Sequence, residues 1–274
     1  MKENNTTGRS TLAREVPLED AWAESPHSEL CCLIYATQNG WKLPILFEEM
    51  GVPYDWALVD FEKGEQRSER FLAVNPNGRI PALIDRARGV TVAESGAILE
   101  YVAARFASPL LPSADDDLQR HLQVKQWLYW QVSALGPSMG QAMYFQRIAK
   151  VQGHDDPFAI GRFLAEAERC LGVLDDQLRA SGGPFVLGEA CTLVDVACFA
   201  YCASAYWANV DIASMPHLQR WIATLHERPS FAVGLTIPFA RPAFFGPPYA
   251  SAEEIEAEIA RNAGQFAVVT RPPA

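Results

Sequence analysis

The stretch Asn75-Pro76-Asn77-Gly78-Arg79-Ile80-Pro81-Ala82-Leu83 constrains this chain more than any other. It reads as a tight polar turn, a basic residue, and then Ile-Pro entering an apolar strand. Proline has no N–H, so in sheets it is confined to strand starts, edges and bulges. A strand entered through X-Pro is a candidate cis bond, because only proline brings the cis form within about 1 kcal/mol of trans. A cis bond there turns the preceding N–H and C=O outward, where an extended peptide can pair with them like an added strand. Taken by itself the stretch reads more simply as an ordinary loop-to-strand proline. Its neighbours decide between the two.

Upstream, Leu30 to Ala36 is a short apolar run that reads as a buried strand. Thr37-Gln38-Asn39-Gly40 follows with turn and cap chemistry. A helix then runs to about Met50, stopped by Gly51, with Pro44 just inside its start. Residues 54–60 read as a second strand, 61–66 as a charged loop and 68–74 as a short helix. Downstream of Pro81–Asp85 come a turn at 86–89, a strand at Val90–Ala93, and an amphipathic helix from Glu94-Ser95-Gly96 to about Phe106. The order β-α-β-α-β-β-α predicts a thioredoxin-like α/β domain over 30–107, with a parallel pair joined by a crossover helix and a closing hairpin.

After a Pro-containing linker at 108–114 the strand signal vanishes. Residues 115–149, 157–181, 192–209 and 216–227 are helical patterns, so 115–230 is expected to be an all-α domain. Thr192-Leu193-Val194-Asp195 is a capping-box variant at the start of the most apolar helix. Residues 1–29 read as an extension that drapes over a surface or stays disordered. The tail, 231–274, is rich in proline and aromatics, with a small acidic helix at 251–262, and is expected to pack back on the body.

Composition closes off several function classes. The net charge is −10 across 274 residues, which argues against nucleic acid or an anionic membrane as the main partner. No apolar run has the length of a membrane span, and the polar N-terminus lacks a signal peptide's apolar stretch, so the cytoplasm is the expected location. Cys31, Cys32, Cys170, Cys191, Cys198 and Cys202 form no CxxC, and the histidines have no metal-ligand spacing, so no metal is expected. The cysteines read as buried thiols.

In a thioredoxin-like fold Asn39, Ile80-Pro81 and Glu94-Ser95 meet at one end of the sheet. A helix N-terminus suits an anion, so Ser95 with its helix can take a carboxylate and Asn39 with its helix a developing thiolate. Glu94 can take an ammonium, and the Ile80 backbone a peptide. A ligand with these groups is glutathione.

Here the sequence resembles the glutathione transferase superfamily, over about residues 30–230. Glu94-Ser95-Gly96-Ala97-Ile98 after Pro81, and Thr192-Leu193-Val194-Asp195-Val196-Ala197, carry the superfamily resemblance. Thr37-Gln38-Asn39-Gly40, Lys63-Gly64-Glu65-Gln66, Trp127-Leu128-Tyr129-Trp130-Gln131 and Gly136-Pro137 are similar to its Nu class, which contains bacterial disulfide-bond reductases and fungal nitrogen-regulator-like relatives. The resemblance implies a homodimer that binds one or two glutathiones, or the disulfide form. It implies that Thr37 and Asn39 orient the sulfur, that Gln66 lies near the glycyl end, that Ile80 and Pro81 present the backbone clamp, and that Glu94 and Ser95 hold the γ-glutamyl group. Arg162 matches a helical arginine facing the ligand, and Arg79 and Lys42 are further carboxylate partners. Gln141, Tyr144 and Trp207 are expected to wall an acceptor pocket. Gln38 and Pro44 depart from the class pattern, where the first is often proline and the helix is usually free of it. The implied activity is disulfide-bond reduction with glutathione. The alternatives are conjugation to, or ether cleavage of, an aromatic electrophile, and a non-catalytic ligand-binding protein.

Overall fold

The computed structural model describes residues 10–25 and 27–267. The chain divides into two compact units, one of residues 1–111 with 225–240, the other of residues 112–224 with 241–274.

The first unit is built on a five-stranded sheet in the order β1-β3-β2-β4-β5. The strands are β1 (Ala13–Glu15), β2 (Leu30–Ile34), β3 (Tyr54–Leu58), β4 (Ala82–Asp85) and β5 (Val90–Ala93). β1 and β2 lie parallel to β3, while β4 is antiparallel to both β2 and β5. The helices are α1 (Lys42–Met50), α2 (Glu69–Val74) and α3 (Ser95–Arg105), with α9 (Pro229–Gly234) contributed from later in the chain. Side chains alternate across β2 as the pleat requires. Cys31 and Leu33 join Ala57, Ala82, Ile84 and Phe71 of α2 in one core layer, covered by Ala21 and Trp22.

Of the extension expected over 1–29, residues 1–9 and 26 lie outside the described residues, and the rest, from residue 10, is ordered against the sheet. Residues 13–15 extend the sheet, and buried Asp55 on β3 pairs with both Arg14 and Arg86. Arg86 also donates to the Ala21 and Ser28 carbonyls, so one buried guanidinium ties this segment to the sheet. The five strands replace the four that the sequence pattern predicts. The fifth was missed because a three-residue strand carries no alternation to read.

In the second unit Leu118–Ala149 is one long helical run. It comprises α4 (Leu118–Trp130) and α5 (Gly136–Tyr144), and the hydrogen-bond ladder widens to π spacing at Gln131–Leu135 and Phe145–Ala149. Gly136 follows the first widening, where a Cβ would lie 3.0 Å from the buried Gln131 amide nitrogen. α6 (Pro157–Ser181) is capped by Asp156, which accepts from the Phe158 and Ala159 amides. α7 (Leu193–Ala203) is buried along its length. α8 (Pro216–Glu227) crosses from this unit into the first, and α10 (Ala252–Ala267) returns to the second. Within the tail a buried ion pair joins Arg241 to Glu258, with Asn262 donating to Glu258, and the tail is tied to the rest of the unit by Gln152 donating to the Ala263 carbonyl and by Phe244 packing on Trp207. No helix among the described residues is long and apolar enough to cross a membrane.

Candidate functional site

Strand register sets the geometry. Leu33 on β2 pairs with Ala82 at the start of β4, and Ala82 pairs with Ala93 at the end of β5. The loop leaving β2, the turn entering β4 and the start of α3 therefore emerge at one end of three neighbouring strands, roughly 10 Å across by strand spacing. Ile34 is in parallel register with Leu58, so the loop after β3, which carries Gln66, leaves from the same end.

Each position is held by local chemistry. After β2 the Thr37 amide donates to the Tyr35 carbonyl, the Thr37 hydroxyl accepts from the Gly40 amide, and the Trp41 amide returns to the Thr37 carbonyl. The loop closes so tightly that a Cβ at Gly40 would lie 1.9 Å from the Tyr35 carbonyl oxygen. The Tyr35 ring stacks on Phe61 at 4.5 Å and meets the edge of Phe239 at 5.4 Å. Asn39 is half-buried at the tip, and its amide makes no hydrogen bond among the described residues. Pro44 is tolerated in the first turn of α1, where a missing N–H and a fixed φ cost little.

Before β4, buried Asn75 builds the turn. Its oxygen accepts from the Asn77 amide, and its nitrogen donates to the Arg79 carbonyl at 2.6 Å. Gly78 has φ 64° and packs under Gln66 and Arg67. The Ile80–Pro81 bond is cis, as the opening motif predicts, and the Arg79 side chain is exposed. Gln66 is buried, yet its side-chain oxygen has no hydrogen-bond partner.

Glu94 caps α3 with φ 69°, a region that costs a non-glycine residue about 1–3 kcal/mol. Its carboxylate is exposed and forms no ion pair among the described residues. Ser95 behind it is buried, and its oxygen accepts from the Lys42 ammonium at 3.1 Å. Lys42 is 1% exposed, so its ammonium lies beneath Ser95 and not at the surface.

The thiols are elsewhere and unreactive. Burial pushes the Cys31 thiol up to about 12 and also raises Cys32, Cys170 and Cys202. A thiolate is the reactive form, so these cysteines are core residues. Among the described residues no group of His, Cys, Asp and Glu could hold a metal ion.

These features, a glycine-closed loop with a free amide, a cis X-Pro clamp and a strained acidic cap, can receive an extended peptide with a thiol, a carboxylate and an amine. Residues 34–104 match the family model for the glutathione S-transferase N-terminal domain, and 152–233 match one for its C-terminal domain. The chain is 32% identical over 199 residues to the disulfide-bond oxidoreductase YfcG of Escherichia coli, covering 71% of this chain and 88% of that protein.

The chain belongs to the glutathione S-transferase family.

It is also 35% identical to the Escherichia coli disulfide-bond oxidoreductase YghU, over 72% of this chain and 71% of that one. Among solved structures, a Burkholderia graminis glutathione transferase with two glutathione molecules bound per subunit superposes with a TM-score of 0.72, at 32% identity, covering 79% of this chain and 91% of that one. A Pseudomonas putida transferase holding one glutathione disulfide per subunit gives a TM-score of 0.72 at 30% identity, covering 81% and 100%.

The remaining expected residues lie in the second unit. Arg162 and Gln141 line a cavity of about 700 Å³ between α5 and α6, with Ser138, Phe158, Glu166 and Arg169. Tyr144 is half-buried and meets the edge of Phe145. Trp207 is 2% exposed, packed on Phe244 at 4.6 Å, with the Arg147 guanidinium 5.5 Å from its ring. It is a core residue of this unit and presents no surface to an acceptor. Sequence analysis read 75–78 as a turn and 37–40 as a capped loop without giving Asn75 or Gly40 a role of its own, and it placed Phe239 only in an aromatic tail expected to pack back on the body.

Proposed function

We propose that the chain is a glutathione-dependent disulfide-bond reductase of the Nu-class type, acting as a homodimer. The observation that carries this reading is the set of unpartnered polar groups at one sheet end. They are the Asn39 amide, the Gln66 oxygen and the Glu94 carboxylate, set around the cis Ile80–Pro81 bond. The relatives named as disulfide-bond oxidoreductases, and the neighbours holding two glutathiones or its disulfide, support the choice of reaction.

The glutathione thiolate attacks one sulfur of a disulfide to form a mixed disulfide, the other sulfur leaving as a thiolate that takes a proton. A second glutathione thiolate attacks the mixed disulfide at the glutathione sulfur, giving glutathione disulfide and releasing the remaining substrate thiol. The protein binds and orients. Ile80 offers its backbone N–H and C=O to the cysteinyl unit. Glu94 takes the γ-glutamyl ammonium and Ser95 its carboxylate, at the positive end of α3. The buried Gln66 oxygen and exposed Arg79 lie on the glycyl side. Asn39 and Thr37, at the start of α1, donate to the sulfur and hold it as a thiolate at neutral pH. Arg162, and an acceptor pocket at Gln141 and Tyr144, belong to the same proposal.

Asn39→Ala tests it. Turnover of hydroxyethyl disulfide is expected to fall roughly tenfold or more, while glutathione affinity changes little, because the lost hydrogen bond matters chiefly to the charged sulfur. Unchanged turnover would remove Asn39 from the mechanism. A parallel panel with a chloronitrobenzene and a β-aryl ether separates reduction from conjugation and ether cleavage. Tight glutathione binding with no turnover on any of the three would favour a non-catalytic binding protein.

A further inference from the structure

We propose that Lys42 is a positioning residue that dedicates Ser95 to an anion without itself touching the ligand. This rests on the glutathione reading above and assigns how the site selects the γ-glutamyl carboxylate. Lys42 is 1% exposed, and its ammonium donates to the Ser95 oxygen at 3.1 Å. An ammonium has three donors and no acceptor. The Ser95 oxygen is therefore the acceptor in this pair, and its own O–H is left to donate outward. That hydrogen sits on the first residue of α3, beside first-turn amides that also lack helical partners. The Ser95 hydroxyl and these amides are all donors, so the ligand group they receive must accept, while the exposed Glu94 carboxylate at the N-cap is left for a donor.

The electrostatics point the same way. Lys42 is the first residue of α1, and Ser95 the first of α3. Helix N-termini carry partial positive charge and favour acidic residues, yet neither first turn contains one. A buried cation linking two helix starts breaks that local preference twice. Violations of this kind concentrate where function requires them. Burial also keeps water from screening the charge. A carboxylate at Ser95 is attracted by the Lys42 ammonium and by both helix starts, whereas a neutral group at the same place is not.

The test compares glutathione with γ-aminobutyryl-cysteinyl-glycine, which lacks only the γ-glutamyl α-carboxylate. Dissociation constants are measured by calorimetry on the full-length protein. Wild type is expected to prefer glutathione by roughly tenfold to hundredfold, the range for a charge-assisted hydrogen bond. Lys42→Met is expected to reduce that preference to within a few-fold, chiefly by weakening glutathione, with the decarboxylated peptide little affected. Adding Ser95→Ala to Lys42→Met should cost little more, because the two residues act as one unit. Should Lys42→Met fail to fold, Lys42→Gln carries the same comparison and removes the charge while keeping a donor. Equal weakening of both ligands would assign Lys42 a purely structural role and overturn the inference, as would an unchanged preference. Failure of wild type to bind either peptide would overturn the glutathione reading itself, which is a different result.

Discussion

Glu94 is in the left-handed region although it has a side chain, and it does so at the point where its carboxylate is exposed beside Ser95. Glycine would adopt this φ without the steric penalty. Glu94→Gly is therefore expected to stabilise the protein by up to about 1 kcal/mol in urea denaturation. The same variant should bind glutathione at least tenfold more weakly, about 1.4 kcal/mol, by calorimetry. Stabilisation with unchanged affinity would detach Glu94 from the ligand. At this scale the sequence was largely legible where function is local. Asn39, Ile80-Pro81 and Glu94-Ser95 each sit in a recognisable turn or cap. The sequence offered Lys42 as a carboxylate partner but gave no sign that it is buried. Its ammonium is taken by Ser95 on α3, 53 residues further on, a contact no local pattern could signal. The burial of Trp207 was likewise not legible, since Phe244, which packs on it, comes from the tail.

Among the elements, α7 shows how a familiar local signal can understate its weight. The Thr192–Asp195 capping box is present as the sequence predicts. A cap alone contributes about 1–2 kcal/mol. Asp195, however, also accepts from the Val186 amide at 3.0 Å and from the Trp221 indole at 2.9 Å, besides the Thr192 amide and hydroxyl. Removing it would orphan all of these buried donors, at roughly 1 kcal/mol or more each. Asp195→Ala is expected to cost about 3–5 kcal/mol in denaturant unfolding, well above the cap figure. A cost near 1 kcal/mol would mean that the extra donors find other acceptors. The helical period located Pro157–Ser181 and Pro216–Glu227 to the residue. It gave no sign of the two π widenings between Leu118 and Ala149, because these change backbone pairing while leaving an apolar face that still reads as helical.

The whole molecule is less linear than its sequence. The helical pattern reads as one block over 115–230, but residues 225–240 group with the sheet. In that segment His226 is held by burial at about 4, below its ordinary value near 6.5. Below pH 6.5 the unfolded chain takes up a proton that the folded chain refuses. The contribution of His226 to stability is thus complete above 6.5 and is lost as the pH falls to about 4. After discounting partial solvent exposure, the loss is on the order of 1–2 kcal/mol. Melting curves across this window should show His226→Phe to be less pH-dependent than wild type. An identical slope would assign the acid sensitivity to other groups.

The same segment carries α9, which braces the helix behind Asn39. Arg228 and Ser230 both reach Glu49 on α1, and Gly234 lies so close that a Cβ there would stand 2.6–2.8 Å from Ile45. The ligand-binding unit is consequently not a severable cassette. A fragment ending at Leu111 would contain every sheet strand and each of Thr37, Asn39, Gln66, Ile80, Glu94 and Ser95. It would also leave Glu49 without its arginine and strip one flank of α1 bare. Grafting, splitting or recombining this chain at the Pro-rich linker therefore separates the Thr37–Gly40 loop from its own scaffold. A clean exchange would have to carry residues 225–240 along with the first 111.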